Sequence, residues 1–257
     1  MVSNQPSQKT GQKIIGIVDA LDEHGSLGVT QLASELDIAK STAHYHLSTL
    51  RDGGYVIKDG PEYQLSLRFL RFGERTRSQI PIYGTAKAEV DKLAKQTDEL
   101  GILMVEEQGY GVYLHKTAGE NAIDIDAPIG RFATLHNRAL GQAILAHLPE
   151  STVETILDEH GLPKTTDQTI GDRDRLFEEL EQVRAQQFAT NHEESIDGLS
   201  GVAVPILGDE EEVLGAISIA GPSKRLETEK LTGDYADLLS KARNVIELTV
   251  QHGDFQQ

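Results

Sequence analysis

Lys40-Ser41-Thr42-Ala43-His44-Tyr45-His46-Leu47-Ser48-Thr49-Leu50-Arg51-Asp52 is the stretch that decides the reading of this chain. Ala43, Leu47 and Leu50 recur at helical spacing and form one apolar stripe. At about 100° per residue the opposite face carries Ser41, Tyr45 and Ser48, flanked by Thr42, His44 and Thr49. An ordinary surface helix is laced with Glu and Lys. This one presents hydroxyls, an imidazole and a phenol, groups that hydrogen-bond base edges and phosphates. Lys40 at the positive helix start and Arg51 further along add cations for a phosphate backbone. His44 and His46 are two residues apart and point in different directions, whereas helical metal pairs need a spacing of three or four.

The neighbours of this helix give it a context. Ile14, Ile15, Ile17, Val18 and Leu21 predict a helix over Gln12 to Glu23, with Gly25 as its stop. Val29 to Leu36 predicts a short second helix with Thr30 at its N-cap, and Asp37-Ile38-Ala39 is a tight turn. Helix, short helix, turn and helix is the order of a helix-turn-helix. After Gly53-Gly54, Tyr55 to Lys58 and Glu62 to Leu65 predict two strands around Asp59-Gly60-Pro61. A hairpin directly behind a reading helix is a wing, and Lys58 beside its tip is a candidate phosphate contact. A hairpin that only caps the core is the plainer alternative. An amphipathic stretch with Arg68, Arg71, Arg75 and Arg77 follows. These arginines either flank phosphates or pair with acids such as Glu74. Pro81 marks a boundary, which places the domain junction near residues 67–80.

Charge divides the chain in the same place. Met1 to Ser78 holds four Lys and five Arg against nine Asp and Glu, so it is neutral. The remainder carries the whole net charge of −17. A surface that approaches phosphates cannot share so negative a field, which places any polyanion partner on the N-terminal part. High acidity with few Lys also suits a salt-rich cytoplasm. There are no cysteines, which excludes disulfides and thiolate chemistry and is compatible with a reducing compartment. No apolar run has the ~18–20 residues of a membrane span, and Met1 to Thr10 has no signal-peptide core.

From Ile82 to Leu100 the pattern is helical. Strand-like runs follow at Ile102 to Glu106, Val112 to Lys116 and Ala122 to Asp126. Helices are predicted at Asn137 to His147, Glu150 to Glu159 and Arg173 to Gln186. Further strands are predicted at Val202 to Leu207 and Val213 to Ala220, and a closing helix at Thr228 to Val250. This is an α+β domain around an antiparallel sheet. Signals for catalysis are sparse. Gly198-Leu199-Ser200-Gly201 is one residue short of a nucleophile elbow and precedes a strand instead of following one. His192-Glu193-Glu194 lacks the second histidine of a zinc protease motif, and His115, His136 and His192 are scattered.

Taken together, these residues resemble the IclR family of transcription regulators over nearly the whole chain after Gln12. Lys40 to Leu50 is similar to the family's K-S-T-V-x-R-x-L-x-T-L, and Tyr63-Gln64-Leu65 with Leu70 and Phe72-Gly73 to its wing-to-linker segment. Leu135-His136 through Ala146 is similar to L-x-x-T/S-A-x-G-K-A-x-L-A. Asn191 to Glu194, Gly198 and Val202 to Ile206 resemble D-x-E-E … G-x-x-C-x-A-x-P-I, and Ala216 to Pro222 with Arg225 resembles A-I-S-V-S-G-P … R. The resemblance implies a winged helix-turn-helix over residues 12–66 after a flexible tail at 1–11, a linker helix at 67–80, and a GAF-like effector-binding domain at 81–257. It implies double-stranded operator DNA as a partner, a homodimer or dimer of dimers, and a small-molecule effector such as an organic acid, aromatic acid or sugar-derived metabolite. Neither a cofactor nor a metal is expected. Carried over by position, Ala139, Leu140, Asn191, Leu199, Gly201, Ser218 and Ala220 would line the effector pocket. Backbone amides near Leu140-Gly141 would hold a carboxylate, while Asn191 and Ser218 fix orientation. Asn191 stands in place of an acid, Gln142 of a Lys, Gly201 of a Cys and Ala220 of a Ser. A small-metabolite enzyme with a DNA-binding appendage and a ligand-free architectural protein are the rival readings.

Overall fold

The computed structural model describes residues 6–123 and 125–253. The chain forms two compact units that divide between Thr76 and Arg77. The first contains α1 (Pro6–His24), β1 (Ser26–Gly28), α2 (Val29–Glu35), α3 (Lys40–Asp52), β2 (Val56–Asp59) and β3 (Glu62–Leu65). Ile17 and Leu21, one helical turn apart on α1, pack with Leu32, Leu47, Leu50, Val56 and Tyr63 into one core. The helix-turn-helix order and the wing are therefore present. α1 starts at Pro6, within the stretch read as a tail, and only residues 1–5 of that tail lie outside the described residues.

Two local expectations in this unit are corrected. The N-cap of α2 is Gly28, not Thr30: its backbone amide donates to Gln31 Oε1 at 2.9 Å. Gly25, read only as a stop, adopts φ +75 and turns the chain into β1. β1 pairs antiparallel with β3, Leu27 opposite Tyr63, and makes the wing three-stranded in the order β1-β3-β2. Three residues are too few to show an alternating pattern, so β1 leaves no periodic signal. It forms because β3 has a second edge to satisfy.

α4 (Arg68–Ser78) spans the division between the units, and none of its residues is fully buried. In the first unit, Tyr55, Phe69 and Phe72 cluster with ring centroids about 6 Å apart. The Arg68 guanidinium lies 4.6 Å from the Tyr55 ring and donates to the Gly53 carbonyl. Arg71 lies 5.2 Å from the Phe72 ring. These two arginines are thus held on aromatic faces, an outcome the charge pattern alone did not indicate.

The second unit is built on a six-stranded antiparallel sheet in the order β6-β5-β4-β9-β8-β7. Its strands are β4 (Leu100–Glu107), β5 (Tyr110–Ala118), β6 (Phe132–Ala133), β7 (Ala189–His192), β8 (Leu199–Leu207) and β9 (Val213–Pro222). Alternation assigns the two faces. Val202, Val204 and Ile206 of β8 and Ile217 and Ile219 of β9 join Val90 of α5 (Tyr83–Thr97) and Leu239 and Ile246 of α10 (Ala236–Gly253) in one core. Ile102, Met104, Ala203 and Ala216 face the opposite way. They pack with α6 (Ala139–Leu145), α7 (Glu150–His160) and α8 (Arg173–Gln186) in a second core. Each fully buried Leu or Ile contributes about 1.5–3 kcal/mol. On the α6 side the sheet centre carries Gly201, Ala203, Ala216, Ser218 and Ala220, all small. Small side chains there leave space between sheet and helix.

Three strand and helix expectations differ in this unit. The described residues of Ala122 to Asp126 are not a strand; they run irregularly, with Lys116 Nζ donating to the Ile125 carbonyl at 2.9 Å. The sixth strand is Phe132–Ala133, paired with Gly111 and Val112. β7 was not anticipated, because its four residues mix Asn and His with Ala and Thr. The closing helix is broken: α9 (Thr228–Lys230) passes into a π-helical turn at Leu231–Tyr235 before α10. Gly233 within that turn lowers helical preference there.

Candidate nucleic-acid interface and effector cavity

α3 runs over the residues the periodicity predicted. Ala43, Leu47 and Leu50 are buried, and His46 is buried with them at 4% exposure. The sequence reading missed His46 as a core residue, although its place three residues after Ala43 is a core spacing. Its Nδ1 has no hydrogen-bond partner among the described residues, and burial holds its pKa below the ordinary histidine value. His44 is exposed, so the two histidines face opposite environments and cannot share an ion.

On the outer side Lys40, Ser41, His44, Tyr45, Thr49 and Arg51 are exposed, and Thr42 and Ser48 half-buried. Tyr45 is 68% exposed, unusual for so large a ring. Thr49 Oγ1 donates to the Tyr45 carbonyl at 3.1 Å, and Arg51 reaches Ser48 Oγ at 3.4 Å and Asp52 at 3.2 Å. Lys40, Ser41, His44 and the Tyr45 hydroxyl make no side-chain hydrogen bond to any described residue. They are the part of the face ready to take a new partner. Lys58 is exposed on β2 with its Nζ 5.6 Å from the Tyr63 ring. Glu23, His24 and Glu35 are the one grouping of metal-type ligands among the described residues; all three are exposed, and His24 Nε2 lies 3.1 Å from Glu35.

In the second unit the space between α6 and the sheet is a cavity of about 340 Å³. Ala139, Leu140, Asn191, Leu199, Gly201, Ser218 and Ala220 all line it. The structure therefore brings together every position that the resemblance marked for a pocket. Leu140 and Gly141 lie in the first turn of α6. A Cβ at Gly141 would sit 2.0 Å from the Leu135 carbonyl oxygen, so only glycine admits this approach of loop to helix. A Cβ at Gly201 would meet the Ile219 carbonyl oxygen at 2.9 Å. Asn191 is tied down by a bond from Nδ2 to the Asn137 carbonyl at 3.0 Å, which leaves its Oδ1 unpaired among the described residues. Ser218 is 3% exposed and makes no side-chain hydrogen bond to any described residue.

The wall also contains polar residues that the sequence reading did not single out: Tyr113, Arg131, Thr134, Arg138 and Thr165. Arg138 Nε donates to the Thr134 carbonyl at 2.7 Å, Nη2 to Asn137 Oδ1 at 3.1 Å, and Nη1 to the Tyr113 hydroxyl. Arg131 pairs with Asp126. Of the histidines weighed for catalysis, His115 bonds Asp91 at 2.7 Å and buried His136 lies 3.2 Å from the Pro163 carbonyl. His192 is exposed at the end of β7. Ser200 is buried on β8 and bonds Ser223 at 2.9 Å, with none of the strand-to-helix strain of a nucleophile elbow.

Residues 12–60 match the family described as IclR helix-turn-helix domain, and residues 75–247 the family described as Bacterial transcriptional regulator IclR C-terminal. The chain belongs to the IclR family of transcription regulators. It is 35% identical over 241 residues to the probable HTH-type transcriptional regulator ArcR of Halobacterium salinarum, covering 92% of each chain. To the HTH-type transcriptional regulator KdgR of Escherichia coli it is 30% identical, covering 95% of this chain and 93% of the relative. The IclR crystal structure from Thermotoga maritima superposes with a TM-score of 0.82 at 26% identity, over 95% of this chain and 100% of the other.

Against the IclR pattern, two substitutions now have a structural setting. Arg138 occupies the Thr/Ser position directly before α6. Gln142 occupies the Lys position and is fully buried, its Nε2 donating to the His136 carbonyl at 2.9 Å and to Glu194 Oε2 at 2.8 Å. A lysine here would give Glu194 a counter-charge; the amide gives only a hydrogen bond. Burial accordingly pushes the Glu194 pKa up to about 7, against the opposing pull of that bond.

Proposed function

We propose that this IclR-family transcription regulator binds operator DNA through the outer face of α3 and is controlled by a small metabolite held in the α6 cavity. The reading rests on one observation above all: the seven pocket positions, scattered over 82 residues of sequence from Ala139 to Ala220, wall a single cavity. A volume of about 340 Å³ is at the small end of ligand sites, which run roughly from 300 to 1,000 Å³. Ligand binding shifts the balance between arrangements of the protein that fit DNA differently. Two subunits place two α3 helices in successive major grooves of a near-palindromic site, as a homodimer or as a dimer of dimers. No described helix is long and apolar enough to cross a membrane, and a cytoplasmic protein is the reading that fits a DNA partner.

DNA contacts are assigned to Lys40, Ser41, Thr42, His44, Tyr45, Ser48, Thr49 and Arg51 of α3 and to Lys58 of the wing. Lys40, Ser41, His44 and Tyr45 carry the base and phosphate contacts first, since their side chains make no hydrogen bond to any described residue. The protein acts as a regulator and not as an enzyme: His115, His136 and Ser200 are each occupied by structural hydrogen bonds. The test is fluorescence anisotropy on DNA fragments recovered from the cell with the protein, with and without a small-molecule extract of that cell. The extract should change the affinity of the wild type and leave an Ala220→Leu variant, whose cavity is filled, unmoved. An equal response in both overturns the assignment of the cavity.

A further inference from the structure

Tyr45 stands at the middle of the outer face of α3. Its neighbours one turn away on either side are Ser41, Thr42, Ser48 and Thr49, all of them short. The ring is 68% exposed, so it stands highest at the centre of the face. Its hydroxyl makes no hydrogen bond to any described residue. The Thr49 hydroxyl, by contrast, is turned back onto the Tyr45 carbonyl at 3.1 Å.

A helix in the major groove distinguishes bases by a small code. Paired hydrogen bonds to adenine need Asn or Gln, and paired bonds to guanine need Arg or Lys. Cytosine N4 donates to Asp or Glu, and thymine offers its 5-methyl group to apolar contact. α3 contains no Asn, Gln or Glu, and its one aspartate, Asp52, is its last residue. Its cations stand at the two ends. Lys40 is the first residue, and Arg51, next to the last, already reaches Ser48 Oγ and Asp52. His44 and the hydroxyls make single hydrogen bonds, which more than one base satisfies. What the centre of the face has left to discriminate with is apolar surface, and Tyr45 carries most of it.

We infer that Tyr45 is the specificity-determining residue of α3 and that it reads thymine, its ring packed on the 5-methyl group of one thymine in each half-site. This inference rests on α3 being the helix that reads DNA. The ring selects the base. The hydroxyl lies beyond the methyl contact and bonds a phosphate oxygen, which adds affinity for every sequence alike. Phosphate contacts weaken steeply with salt, whereas contact with a methyl group does not. That property suits a chain of net charge −17, whose attraction for phosphate is limited to a few cations of the first unit.

The test replaces the thymines of a bound fragment, one at a time, with deoxyuridine, which lacks only the methyl group. The fragments are those recovered from the cell with the protein, and affinity is read by fluorescence anisotropy on the full chain. One thymine in each half-site should prove sensitive, its replacement weakening the wild type about fourfold, as expected for one buried methyl group. Tyr45→Phe should bind every fragment more weakly and keep that sensitivity. Tyr45→Ala should bind the thymine and deoxyuridine fragments equally. Where its binding is too weak to titrate, Tyr45→Gln, which removes the ring and keeps a long side chain, is read in its place. No sensitive thymine in the wild type, undiminished sensitivity in Tyr45→Ala or Tyr45→Gln, or its loss in Tyr45→Phe would each overturn the inference. If one of these occurs while the wild type still prefers the recovered fragments to shuffled DNA, the thymine assignment alone falls. If the wild type binds recovered and shuffled DNA alike, the reading role of α3 falls with it.

Discussion

Gln142 and Glu194, 52 residues apart in sequence, are joined by a 2.8 Å hydrogen bond between two buried side chains, and burial outweighs both that bond and the nearby Arg175 charge in setting the carboxyl's proton affinity. The Glu194 carboxyl is therefore protonated more readily in the folded protein, at about 7, than in the unfolded chain, at 4.5. Between those values the folded state holds the extra proton, so stability falls as pH rises from about 4.5 and levels off above about 7. At 1.36 kcal/mol per pKa unit the loss is on the order of a few kcal/mol. Melting temperature measured from pH 5 to 8 should decline for the wild type. Glu194→Gln should flatten the curve, and Gln142→Lys, which restores a counter-charge, should shift the decline to lower pH. A wild-type curve that declines no more than that of Glu194→Gln across this range contradicts the account, since buried His46, His136 and His147 act in the opposite sense in both proteins.

His46 behaves in the opposite sense. Its pKa is lowered by burial in the first unit, so protonation opposes folding as pH falls below about 6.5. His46→Leu replaces an unpaired buried nitrogen with an apolar side chain at a core position. It should hold or raise stability by about 1 kcal/mol and remove that part of the acid sensitivity, with DNA affinity preserved. A variant that unfolds or loses DNA binding would show that His46 has a role beyond packing.

The α3 face predicts how affinity depends on salt. Lys40, Arg51 and Lys58 are the assigned phosphate contacts of each subunit, while Arg68 and Arg71 lie on the rings of the Tyr55, Phe69 and Phe72 cluster. Two subunits then neutralise about six phosphates, for a slope of log K against log salt of roughly −5. Lys58→Ala should make the slope shallower by about 2 for a dimer and weaken binding to all sequences alike. A slope near −10 in the wild type would mean that the linker arginines leave their rings for DNA.

Gly141→Ala tests the packing of α6 behind its cavity-lining residues Ala139 and Leu140. The added methyl would overlap the Leu135 carbonyl oxygen, so either the 135–138 loop or α6 must move. Destabilisation of about 1–3 kcal/mol is expected, with effector response lost before DNA binding. An alanine variant as stable as wild type would show that the loop yields easily.

Much of this architecture is written in periodicity. The spacing of Ala43, Leu47 and Leu50 gives α3 its bounds and its face, and α8 at Arg173–Gln186 is recovered to the residue. β1 and β7 are not recoverable, because three or four mixed residues carry no period and are recruited by the free edge of a neighbouring strand. The seven cavity positions came from resemblance; no pattern within the sequence links Ala139 to Ser218. Arg138 was overlooked for a related reason. An arginine before a helix reads as surface until the fold places Tyr113 beside it. His46 was the avoidable omission, since its spacing from Ala43 and Leu50 already put it on the buried stripe.

The central claim is that the outer face of α3 reads DNA sequence. Mapping of bound DNA across the genome in cells carrying wild type or Tyr45→Ala tests it most directly. Tyr45 is 68% exposed, so its removal should leave folding within about 0.5 kcal/mol of wild type. The account predicts discrete wild-type sites with two half-sites separated by about one helical turn, and their loss in Tyr45→Ala. Sites that persist unchanged in the variant, or a wild type with no preferred sites, would contradict it.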